Sequence, residues 1–146
     1  MPPARFAEGA LAARLAKLME EAERCYETPD PDPVHDLRVA IRRFSLAVRL
    51  FQSLLDAKAA KRMRRALSRV MDAAAEVRDL DVGMERLIVE GLPGDHALLE
   101  EMRAERRRGE LALRGRLLLL QAEEPDKTWR PLLHSRAGRS AGARAS

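Results

Sequence analysis

Four side chains of basic chemistry recur along one stretch of the chain: His35, Arg38, Arg42 and Arg49. On a helix, at about 100° per residue, they fall within about 60° of arc. Guanidinium forks spaced this way can bind phosphate oxygens bidentately, and a protonated imidazole adds a donor. His35 could equally satisfy a neighbouring carboxylate as a structural residue. Downstream, Lys58, Lys61, Arg62, Arg65 and Arg69 form a second basic stripe, about 100° wide on a helical wheel. Two such stripes on antiparallel helices would converge on one groove, and a flexible polyanion fits it. Arginines stacked at spacings of four and seven repel one another. The row therefore calls for a counter-charge, from acids on another helix or from a bound anion. The plain alternative is a solvated basic face.

Other chemistry finds little support. The pair His35-Asp36 suggests metal-dependent hydrolysis, but such sites need further ligands. His96 and His134 stand alone in sequence. Cys25 has no base near it and reads as a small packed residue. Glu100-Glu101 and Glu123-Glu124 read as solvated helix faces, and so does Arg106-Arg107-Arg108. Trp129 and Tyr26 are too few and too separated for a base-stacking platform. The expectation is a protein without catalytic residues, metal or cofactor.

The composition says which elements must position the basic stripes. The chain has 146 residues, of which 34% are charged and only 3% aromatic. Its apolar fraction is mostly Ala, Leu and Val, which favours helices over a sandwich or barrel. The expected class is all-α: an antiparallel bundle of about four to five helices. One cysteine excludes an internal disulfide framework. No apolar run approaches the ~18 residues of a membrane span. No secretory h-region is present at the start, so a cytoplasmic setting is the expectation. Charge is segregated: residues 34–70 carry ten bases and two acids, whereas residues 71–126 carry eight bases and fourteen acids. The basic block points to an anionic partner.

Apolar spacing predicts the helices. The first runs from about Arg5 to Glu27, and Thr28-Pro29-Asp30-Pro31-Asp32-Pro33 reads as a stiff connector. Asp32 is the expected N-cap of the second helix, from Val34 to about Leu55, with Pro33 at its first position. Leu37, Ile41, Phe44, Val48 and Phe51 form its core seam. Val39, Leu46 and Leu50 flank the basic stripe on its other side, which predicts a helix buried on two sides. A third helix starts near Ala57, and the segment from Asp79 to Glu90 either continues it or starts afresh. Gly91-Leu92-Pro93-Gly94 is a breaker, and Asp95 the expected cap of a last helix ending at Pro125. The helical domain is thus placed at 1–125. Residues 126–146 are read as a basic, low-complexity, disordered tail, either a binding arm or a truncated end.

The run Val34-His35-Asp36-Leu37-Arg38-Val39-Ala40-Ile41-Arg42-Arg43 resembles the signature helix of the CHAD family, the conserved histidine α-helical domain. Val77-Arg78-Asp79-Leu80-Asp81-Val82 is similar to that family's second landmark. The resemblance spans roughly residues 5–124. It implies an all-α fold of helical bundles with basic residues around a cavity. It also implies binding of inorganic polyphosphate, often at intracellular granules, without a reaction. Carried over by motif, the anion-site candidates are His35, Arg38, Arg42, Arg43 and Arg78, with Asp79 and Asp81 holding Arg78 in place. The wheel adds Arg49, Lys58, Arg62, Arg65 and Arg69. Full domains of this family are about twice as long, so the chain resembles an N-terminal half. Two copies pairing as a homodimer would rebuild the cavity. The alternatives are nonspecific nucleic-acid binding and a helical module for protein interaction or self-association.

Overall fold

Pro31, not Pro33, occupies the first position of the second helix. In a computed structural model, which describes residues 3–134, Asp30 is the extended N-cap residue ahead of it. The Val34 amide donates to the Asp30 carbonyl at 3.1 Å, the first bond of that helix. Pro31 and Pro33 fall in the first turn, where no amide donor is required. The connector therefore shrinks to residues 28–30.

Four long helices follow one another: α1 (Pro3–Glu27), α2 (Pro31–Leu50), α3 (Ala57–Val89) and α4 (Ala97–Ala122). A short helix, α5 (Pro125–Thr128), and two 3₁₀ turns, Gln52–Leu54 and Arg130–Leu133, complete the described residues, which contain no strand. The expected all-α bundle is what forms. α1 packs on α2, α2 on α3, and α3 on α4.

α3 is one continuous helix of 33 residues, so the segment from Asp79 continues it. Nothing in that sequence interrupts the i→i−4 ladder. Asp56 caps its start by accepting from the Ala59 amide at 2.9 Å. Gly91 closes its end at φ 104°, a left-handed conformation that suits glycine. The Leu92 and Gly91 amides then reach back to Leu87 and Ile88 carbonyls. α2 stops at Leu50, short of the expected Leu55, and the chain tightens into a 3₁₀ turn. His96, not Asp95, caps α4, its Nδ1 accepting from the Leu98 amide at 3.0 Å.

The core is drawn from all four long helices: Leu11, Leu15 and Leu18; Leu37, Phe44 and Val48; Met63, Leu67 and Val70; Leu113 and Leu117. The buried core continues past residue 125. After Glu124 turns the chain at φ 49°, Trp129 stacks on Phe44 with centroids 6.2 Å apart, and Leu133 is buried. The physical reason is burial of the one Trp and two leucines, which outweighs the helix break at Pro125. The expected disorder of the low-complexity stretch from Arg136 onward lies outside the described residues.

Two arginines of α4 tie the layers together. Arg114 donates to the carbonyls of Tyr26 and Glu27, capping the C-terminus of α1. Arg106 donates to the Pro29 carbonyl at 2.9 Å. It also donates to both carboxylate oxygens of Asp81 on α3 and to Glu110. Arg106 is therefore structural and nearly buried, unlike its exposed neighbours Arg107 and Arg108. Asp81 serves Arg106 rather than Arg78.

Candidate anion-binding groove

α2 and α3 lie side by side and antiparallel, and a groove of about 610 Å³ opens between them. Arg42 and Arg49 line it from α2; Lys61, Arg64 and Arg65 line it from α3. Ser45 and Ser68 add hydroxyls, and Asp72 is the one carboxylate in the lining. None of these five cations forms a salt bridge among the described residues. Elsewhere the pattern is different: Lys17 pairs with Glu21 at 3.0 Å, Arg24 with Asp36 at 2.7 Å, and Arg103 with Glu100 at 3.2 Å. What sets the groove apart is convergence: five cations share one lining with a single carboxylate.

The groove leads toward Arg38, one turn of α2 before Arg42. The Arg38 Nε is buried and has no hydrogen-bond partner. Burial makes the charged form of this guanidinium harder to hold and lowers its pKa. Arg42 and Arg78 push in the same direction, and Asp79 opposes them. The two landmark runs of the sequence thus meet here, with three guanidiniums in one another's field. A buried donor without an acceptor is costly, and an anion brought to this end would offset that cost.

The expected site residues separate. Arg38, Arg42, Arg49, Arg65 and Arg78 gather along the α2/α3 side. His35 sits exposed at the start of α2, on the same stripe as Arg42 and Arg49. Arg43 does not join them. It lies on the opposite flank of α2, in a cleft of about 230 Å³ against α1, with Arg14, Lys17, Glu21 and Asp36. Arg69 faces α4 beside Arg116 and Glu123. Arg62, seven residues earlier on the same helical face, is turned the same way. Lys58 is exposed and outside the groove lining. The wheel placed these side chains correctly about the α3 axis. The stripe straddles the solvent-facing crest of α3, so one edge serves α2 and the other α4. Lys61 and Arg64 are the additions. Lys61 was visible in the stripe; Arg64, three residues on, becomes legible only once the α2-facing flank is known.

The second apolar band on α2 is not covered as expected. Leu46 is 55% exposed and Leu50 68% exposed. Asp36, beside His35, is held by Arg24 of α1 rather than aimed at the groove. Among the described residues no three His, Cys, Asp or Glu side chains are grouped to hold a metal ion. His96 is a cap and His134 lies 3.6 Å from Glu8. Cys25 is fully buried, and burial pushes its thiol up to about 11, which keeps it protonated and unreactive. No described helix is long and apolar enough to cross a membrane.

Comparison with known families returns the CHAD domain, matched over residues 9–146. The chain belongs to the CHAD domain family. The match takes in the α5 and Trp129 segment, in keeping with its place in the core. No curated protein and no solved structure matches this CHAD domain. In it, the histidine-bearing signature run contributes Ile41 and Arg42 to the groove lining, and Arg78 of the second landmark acts on Arg38 through its charge.

Proposed function

We propose that this CHAD domain binds inorganic polyphosphate along the α2/α3 groove, without a reaction of its own. One observation carries the reading: five cations converge on one groove with a single carboxylate, close to Arg38 with its unpartnered Nε. From Arg38 to Arg49 the helix rises about 16 Å, room for a run of several phosphates. Guanidinium forks would take the phosphate oxygens bidentately, and Lys61 would act as a point charge. No aromatic side chain lines the groove, so nothing there stacks on bases. That favours inorganic polyphosphate over a nucleic acid. The cellular setting under this reading is the cytoplasm, at polyphosphate granules.

The test compares a long-chain polyphosphate with duplex DNA at matched phosphate concentration and two salt concentrations. Wild type is expected to favour polyphosphate, with binding weakened by salt. Arg38→Ala/Arg42→Ala is expected to weaken polyphosphate binding about 100-fold, from two lost charge-assisted hydrogen-bonding groups. Its melting temperature is expected to change little, because neither side chain forms a hydrogen bond or salt bridge among the described residues. Unchanged affinity in the double variant, or DNA bound as tightly, would overturn the reading.

A further inference from the structure

α3 carries a charge gradient that its own helix disfavours. Residues 57–70 hold six cations and no acid, while residues 71–89 hold five acids and two cations. A helix dipole prefers acids near its start and bases near its end. The gradient is therefore better explained by something outside the helix.

The far end of α3 also projects. Arg106 holds Asp81 level with Pro29 in the α1–α2 turn. Beyond that level α3 continues through residues 82–89, about 12 Å, and the start of α4 returns beside it. This end leaves Val82, Ile88, Val89 and Leu98 exposed, Val89 by 80%. Around them stand the exposed acids Glu85, Glu90, Asp95 and Glu101, which outnumber the exposed Arg86. An apolar tip with an acidic collar complements the groove in both respects. The groove is cationic, and its α2 edge carries exposed Leu46 and Leu50.

We propose that two copies of the chain pair about a two-fold axis, the acidic α3–α4 end of each covering the basic groove of the other, and that polyphosphate displaces that end. One rotation makes both contacts, as an isologous dimer requires. The apolar tips are covered, and each groove gains the counter-charge that its own chain withholds. Polyphosphate then binds by exchange, with the partner's carboxylates as the competing anion. The pairing stands on geometry and charge alone; the exchange rests on the polyphosphate reading of the groove.

Mass measured by light scattering tests the pairing. At low salt the mass is expected to be twice the 16.4 kDa of one chain, falling to the single value at high salt. Glu85→Lys/Glu90→Lys/Asp95→Lys and Arg49→Glu/Lys61→Glu/Arg65→Glu change exposed side chains and reverse the sign of tip and groove, and each variant alone is expected to be monomeric. Their equimolar mixture is expected to restore the dimer, since each tip then meets a groove of opposite charge. That result also shows both variants folded. A wild type that stays monomeric at low salt overturns the pairing, and so does a mixture that stays monomeric. A short polyphosphate, too short to bridge copies, tests the exchange. It is expected to convert wild-type dimer to monomer and to weaken pairing at least about tenfold. Bound polyphosphate with the dimer mass unchanged overturns the exchange and leaves the pairing. A salt-sensitive dimer that binds no polyphosphate overturns the functional reading instead.

Discussion

Arg106→Ala is expected to destabilise the fold by about 3–5 kcal/mol, the usual cost of removing one partner from a buried ion pair. The Arg106 side chain is 12% exposed and that of Asp81 8%. Removing the guanidinium leaves the Asp81 carboxylate in a dry site with no cation. It also strips the Pro29 carbonyl of its donor, and Glu110 of its partner. The loss falls where three elements meet: the α1–α2 turn, α3 and α4. For a chain of this length the melting temperature should drop by about 10–15 °C. Arg107→Ala, next in sequence but exposed, should stay within about 0.5 kcal/mol of wild type. Arg106→Met with Asp81→Leu should recover much of the loss, because apolar replacement of a whole buried pair is often neutral. Thermal and urea unfolding of the four proteins measures all of this. An Arg106→Ala protein as stable as Arg107→Ala would show that the cluster contributes little.

Trp129→Ala is expected to cost about 3–5 kcal/mol as well, by emptying a large buried site. Trp129 is 1% exposed and stacks on Phe44 in the middle of α2. The consequence reaches the groove, since Phe44 sits between Arg42 and Ser45 on the same helix. Urea unfolding with near-UV circular dichroism would follow both the stability and the lost aromatic packing. A truncation meant to remove only the basic tail must therefore come after His134. A cut after Glu124 would take Trp129 and Leu133 with it and destabilise the bundle. Wild-type-like stability in either Trp129→Ala or the shorter truncation would contradict this placement.

The two outcomes differ in how far each was legible in sequence. Leu37, Ile41, Phe44 and Val48 announced the core face of α2 by spacing alone, and the structure buries all four. Spacing works there because a core seam depends only on the helix's own period. Trp129 gave no such signal. It follows a proline and a left-handed residue, in a segment too short for periodicity. Arg106 was hidden for a different reason: in a run of three arginines, only the position of Asp81 decides which is buried. The basic stripes fell between these cases. Their angles about α2 and α3 could be worked out, but a wheel does not say which neighbour takes which flank. Hence Arg43 and Arg69 went to other clefts, while Arg64 was missed. Likewise the second apolar band of Leu46 and Leu50 was visible, but not that it would stay exposed within one chain.

The central claim is that position in the groove, not total positive charge, binds the polyanion. The most direct measurement is isothermal titration of polyphosphate into two charge-matched triple variants. Arg49→Ala/Lys61→Ala/Arg65→Ala removes three groove cations. Arg107→Ala/Arg108→Ala/Arg116→Ala removes three exposed cations from α4. The groove variant is expected to lose about 100-fold in affinity, and the other less than about threefold, as distant charges are largely screened. Equal losses in the two variants would contradict the account.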